Sequence, residues 1–387
     1  MKWFLDERYR AGVIFSLLAG LLTFVTPAAN TNPYNGPMLV AERILEGNFD
    51  LPARISWMET FTFEDRKYLA YPPMATLVLV PYAALGGSGP GQTVFNSALI
   101  FLTAFIFYRL FAGIPLLRPL RLAAPVLYVL GTSTFHSARL GSVWLLMHSE
   151  GNFFLAAALL LATVRRQFVL AGVCFLIAAQ IRYSILFAAP GFALLAWLEA
   201  ADHRETVRNL LRFALGCLPP GLLIVGYNLA LFGDPFQITY TSTWSEWSHT
   251  SIDFSTDHIG RNLKFYTTAL PEVLAEKPFL KFHSGGQTLF FLSPFLLGVL
   301  LPRWRPHLVR AGVPALLCMF GFYLCYSFQG STQFGSRYML DLLPILFPVA
   351  LSAFTRPGRG WHPLLAVTGT VAMVLNMWGS FSTLPLP

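Results

Sequence analysis

Apolar residues come in blocks of 15 to 21 positions along this chain, with short polar clusters rich in Arg, Pro and Gly between them. The blocks fall at 11–28, 93–113, 121–136, 150–164, 167–181, 183–198, 213–232, 287–301, 311–328, 338–355 and 362–381. A helix crosses about 30 Å of hydrocarbon with roughly 20 apolar residues. The pattern therefore predicts an all-α polytopic integral membrane protein of about eleven transmembrane helices, forming a single transmembrane domain over residues 1–387. A further run, "PPMATLVLVPYAALGG" at 72–87, is too short and too interrupted by proline to span, and is expected to lie in or dip into the interface.

Composition agrees. The chain is 55% hydrophobic and 12% charged, with mean hydropathy +0.56, whereas soluble domains are about a quarter charged. The first block follows a basic start and precedes "TPAAN", as a secretory signal would, but Asp6 and Glu7 break its leading segment and favour a retained helix. Cys174, Cys217, Cys318 and Cys325 all fall in apolar blocks without metal spacing, and read as small packing residues.

The net charge of +8 is scattered among loops, a pattern that argues against nucleic acid and suits orientation signals. With the run at 72–87 left uncrossed, 16 of the 27 basic residues fall in alternate short loops on one side, from Lys2, Arg8 and Arg10 to Arg356 and Arg359. That side is expected to be cytoplasmic, together with the N-terminus. Two long segments, 29–92 and 233–286, then face outward. "PMLVAERILEG" places Met38, Ala41 and Leu45 opposite Glu42 and Glu46, and "RNLKFYTTALPEVLAEKPFLKF" has similar periodicity broken at Pro271; both predict helices floating at the interface.

Ionisable groups at membrane depth are costly unless they pair or work. Arg139, His148, Glu150, Arg182, Arg337 and Asp341 all fall at outer helix ends, beside His136 and Asn152. Arg337 and Asp341, four apart, would share an α-helical face and form an ion pair. His148 and Glu150 are two apart and face different ways, and no H-E-x-x-H exists, so no divalent metal is expected. Arg139, Arg182 and Arg337 sit on three spans at one level, where guanidinium forks suit a lipid phosphate. Tyr240, Trp244, Trp247 and Tyr266 suit either stacking on a sugar or an aromatic belt.

A long outer segment after the first span, "YPPMATLVLVP" closing it, "YNLALFGDPFQITY" before the second outer segment, and a late "QFGSRYMLDLLP" together resemble the GT-C superfamily of membrane glycosyltransferases. The likeness is to bacterial members related to protein mannosyltransferases and aminoarabinose transferases. It implies an outward-facing cavity in a bacterial inner membrane. A polyprenyl-phosphate sugar donor would enter it from the membrane lipid and pass its sugar to an envelope glycan, lipid or protein acceptor. The family's first outer loop carries an acidic residue six to nine positions before a small residue. Counting back from Ala41, that window holds Asn32 and Asn35 and no acid.

Transfer to a hydroxyl needs a base, and Asn35 cannot accept the proton. Glu42 is the nearest carboxylate, Glu150 and Asp341 are alternatives, and an anionic acceptor would need no base. The family's other acidic position falls in "HSARLGSVWLLMHSEGN", where this chain offers His148 and Glu150. Arg139, His148, Arg182, Arg337, Asp341 and Tyr240 are the expected contacts to phosphate or sugar. A lipid flippase would also need buried charge, but it favours paired broken helices in related halves; Pro219-Pro220 has no counterpart. A membrane protein without catalytic function is the third reading.

Overall fold

The computed structural model describes residues 7–25, 34–51, 60–89, 91–238, 253–277, 279–283, 285–330, 333–358 and 360–382. After α1 (Glu7–Val25) comes α2 (Gly36–Leu45), then a hairpin of β1 (Thr60–Phe63) and β2 (Arg66–Leu69), then α3 (Pro73–Leu77) and α4 (Val80–Ala84). The bundle continues with α5 (Gly91–Gly113), α6 (Ala123–Leu130), α7 (Thr134–Leu140), α8 (Val143–Thr163), α9 (Phe168–Ile181), α10 (Ala189–Leu198) and α11 (His203–Phe232). Next are α12 (Ile259–Thr268), a hairpin of β3 (Glu272–Val273) and β4 (Leu280–Lys281), α13 (Leu289–Leu292), α14 (His307–Cys325), α15 (Leu343–Ser352) and α16 (Trp361–Ser382).

Seven stretches among the described residues are long and apolar enough to cross a membrane: α1, α5, α8, α11, α14, the continuous helical stretch Arg337–Thr355, and α16. The other apolar blocks form shorter or broken elements. Block 121–136 divides into α6 and α7 at Gly131, and 183–198 begins as a 3-10 stretch, Tyr183–Ala188, before α10. Block 287–301 is α13 followed by 3-10 turns at Pro294–Leu300. A 3-10 residue rises about 2.0 Å against about 1.5 Å in an α-helix, so these short blocks reach further than their length suggests.

Polar bonds sort the segment ends into two groups. At one end Arg121 grips both carboxylate oxygens of Glu7, and Glu199 receives Arg166 at 3.1 Å and His307 at 2.9 Å. Arg303 reaches the carbonyl of Thr355, and Arg356 that of Leu301 at 3.0 Å. At the other end the Tyr34 carbonyl accepts from the Val143 amide at 2.9 Å and from Gln92 Nε2 at 3.1 Å. The run at 72–87 forms two short helices, α3 and α4, in the chain between Tyr34 and Gln92.

Arg337–Thr355 is the central element, with 94% of its apolar window buried; Phe107, Tyr128 and Phe295 pack on its Phe347 as one aromatic cluster. Where α9 crosses α11, a Cβ on Gly172 would lie 2.1 Å from the Phe213 carbonyl, and one on Gly216 would lie 1.9 Å from that of Val169. Only glycine permits this approach, the small-residue crossing typical of helices in lipid.

The two long segments expected to face outward depart from floating helices. On α2, Met38 and Ala41 are fully buried against Leu79, Ala83, Leu99 and Leu146, so the helix is docked into the bundle. The β1–β2 hairpin packs Phe61 and Tyr68 onto Phe232 at the end of α11. In the second segment Asn262 of α12 is buried, and its Nδ2 donates to the carbonyls of Tyr323 (3.1 Å), Leu324 (2.9 Å) and Tyr326 (2.7 Å). Those carbonyls at the end of α14 would otherwise lack partners. Periodicity located α2 and α12, but beyond Pro271 the expected helix is replaced by the β3–β4 hairpin, and the neighbour that covers each apolar face was not legible.

Candidate functional site

Asp341 is completely buried, and four groups converge on its carboxylate. Oδ1 accepts from His148 Nδ1 at 2.5 Å. Oδ2 accepts from Arg182 Nε at 3.0 Å, from Ser184 Oγ at 2.8 Å, and from the Tyr323 hydroxyl. Tyr323 and Ser184 also bond to each other at 2.7 Å. These residues come from α8, the α9–α10 junction, α14 and the 3-10 turns Arg337–Leu342, so one carboxylate ties four separate elements together. Gly151 makes the approach possible, because a Cβ there would already stand 3.2 Å from Arg182 Cγ.

The i,i+4 pair expected between Arg337 and Asp341 does not form. Residues 337–342 are 3-10 and not α, and at three residues per turn positions four apart point about 120° away from each other. Asp341 takes Arg182 from another element instead. Among the described residues, the Arg337 guanidinium makes no ion pair; its charge lies over the rings of Trp144 (5.7 Å) and Tyr338 (5.5 Å). Arg182 approaches the same Tyr338 ring at 5.5 Å. Two of the three predicted arginines thus approach one aromatic ring.

Arg337 also lines a small recess with Ser133, Ser142, Trp144, Leu145, Gln333 and other residues, enclosing about 20 Å³, room for about one water. The Ser133 and Ser142 hydroxyls there are buried without a hydrogen-bond partner among the described residues. Tyr34, just before α2, rests on Trp144 with ring centres 4.8 Å apart.

The third arginine lies to one side of this cluster. Arg139 donates to the Ser380 carbonyl and covers Phe381, while His136 Nδ1 meets Ser380 Oγ at 3.2 Å, so α7 is fastened to α16. Glu150 is fully buried, and among the described residues neither carboxylate oxygen has a hydrogen-bond partner. Two residues beyond His148 on α8, it faces about 200° away from the Asp341 cluster. Glu42 and Asn35 flank Gly89: a Cβ there would lie 2.2 Å from Asn35 Nδ2. Burial raises the Glu42 carboxyl above its usual range, and a bond from the Gly89 backbone partly offsets this. Among the described residues neither Glu42 nor Asn35 bonds to the Asp341 cluster. Tyr240, with Trp244 and Trp247, lies outside the described residues, and Tyr266 is buried beside Tyr323 with ring centres 6.5 Å apart.

Tyr323, Ser184, Tyr338, Trp144 and the recess serines are absent from the sequence reading. Of these, only Tyr338 and Trp144 carried a usable signal, as aromatic residues one and four positions from ionisable ones. No family model, curated protein or solved structure matches this chain.

Proposed function

We propose that this chain is a membrane glycosyltransferase that transfers a sugar from a polyprenyl-phosphate donor to a cell-envelope acceptor, on the extracytoplasmic side of the membrane. Arg337 is the observation that carries this reading. A guanidinium at a helix entrance, stacked on two rings and without an ion pair among the described residues, is a cation held ready for an anionic ligand. Two unpartnered serine hydroxyls beside it add donors, and this combination suits phosphate at head-group depth. The Asp341 cluster beneath it fixes the elements that present the cation.

The proposed topology has eleven passes, with the end bearing Glu7, Arg121 and Glu199 in the cytoplasm. The alternation of segment ends and the crowding of basic residues at that end support it. In intact cells, an impermeant maleimide should label the Glu46→Cys variant and leave Arg165→Cys unlabelled until the membrane is opened. The reverse pattern would put the site on the wrong side for this function. For the activity itself, purified protein in lipid nanodiscs, supplied with cell-envelope lipid, glycan and protein extract as acceptor, should release polyprenyl phosphate from at least one of a panel of undecaprenyl-phosphate hexoses and pentoses. No release from any of them would remove the glycosyltransferase reading.

A further inference from the structure

His148 is 1% exposed, and among the described residues its Nε2 has no hydrogen-bond partner although its Nδ1 is engaged. A buried polar atom left unpaired costs about 1–3 kcal/mol and calls for an explanation. The carboxylate decides what that atom is. Asp341 already accepts from Arg182, Ser184 and Tyr323 on Oδ2, and an ionised carboxylate can only accept. His148 Nδ1 must therefore carry the hydrogen shared with Oδ1, and in the neutral imidazole Nε2 is left with a bare lone pair. A carboxylate that fixes one ring nitrogen so that the other acts as a base is a recurrent catalytic arrangement.

Position supports a role for that lone pair. Trp144, one α-helical turn before His148, lines the recess, as do Arg337 and Leu340 just before Asp341. His148 thus lies one helical turn beneath a recess-lining residue, and Asp341 directly follows another. Tyr338 joins the two levels, with Arg337 5.5 Å from its ring centre and the His148 ring 6.3 Å away. The carboxylates compare poorly. Glu150 has no partner to orient it, and Glu42 is engaged at Gly89.

Resting on the glycosyltransferase reading, we propose that His148 is its general base, with Asp341 as the positioning residue that sets its tautomer. The acceptor hydroxyl reaches Nε2 when the Trp144–Arg337 layer opens. Its O–H bond breaks toward Nε2 as its oxygen bonds to the sugar's anomeric carbon. The bond from that carbon to the phosphate oxygen breaks, its electron pair leaves with the polyprenyl phosphate, and the imidazolium is held against Asp341.

The test uses the full chain in nanodiscs with the undecaprenyl-phosphate sugar panel and the same acceptor extract. His148→Gln should lower the rate of polyprenyl-phosphate release by about 10²- to 10⁴-fold while binding undecaprenyl phosphate as tightly as the wild type. Release by the wild type with an equal rate in His148→Gln overturns the base assignment alone. A wild type inactive on every donor overturns the glycosyltransferase reading and the base with it. Should His148→Gln fail to fold, nitrogen-15 spectra of the wild type still decide the tautomer: a hydrogen on Nδ1 beside the Asp341 carboxyl is expected, and a neutral ring carrying it on Nε2 overturns the proposal.

Discussion

Asp341→Asn should cost about 3–5 kcal/mol of stability, the range for removing one partner from a buried ion pair. The two side chains are nearly the same size, so no cavity term enters. What changes is charge and hydrogen bonding: Arg182 keeps a positive charge whose ion-pair partner is gone, with its side chain only 17% exposed, and His148 Nδ1 loses a carboxylate acceptor. Four elements would lose their common anchor, so the effect should be cooperative, visible as a lower thermal midpoint in detergent and faster proteolysis at the α9–α10 junction. Combining Asp341→Asn with Arg182→Met removes the stranded charge and should recover much of the loss, since contacting residues do not add. A single variant as stable as the wild type, or a double variant losing the sum of both single effects, would mean that the pair contributes little to holding the bundle.

The same cluster separates what was legible in the sequence from what was not. Arg182, His148 and Asp341 stand out because each is ionisable at the edge of an apolar block, where its cost demands a partner. Which partner it finds depends on helix geometry. The i,i+4 rule paired Asp341 with Arg337 on the assumption of an α-helix; a 3-10 entry turns Asp341 toward α8 and α14, and no hydropathy pattern distinguishes those two helices at six residues. Block positions were legible for the same reason that span lengths were not: hydropathy reports where lipid or core is expected, while Gly131 and Pro294 decide whether the helix continues. Position 72–87 is expected to be uncrossed because parity of basic loops is a long-range constraint, and the Arg121–Glu7 contact brings the start of α1 beside the chain just after α5. The β1–β2 hairpin carried little signal: its turn uses Glu64 and Asp65 at positive φ, where Asn-Gly would have announced it.

Arg337→Ala should reduce release of polyprenyl phosphate by about 10²- to 10³-fold, as expected for removing one preorganised charged donor from a developing oxyanion, and leave the protein folded. The asymmetry with Asp341 is the point. Arg337 is partly exposed and forms no ion pair among the described residues, so its removal strands no buried charge and should cost little beyond its two ring contacts, each about 0.5–1 kcal/mol at such sites. A residue whose loss hardly changes stability but abolishes turnover is positioned for a ligand. Arg337→Lys refines the argument, because an ammonium keeps the charge but not the planar fork. If the phosphate is held by two parallel bonds, lysine should recover only a minor part of the rate; if charge alone matters, it should recover most. Full activity in Arg337→Ala would mean that the stacked guanidinium merely seals the outer end of the bundle, and the phosphate seat would have to lie elsewhere in the chain.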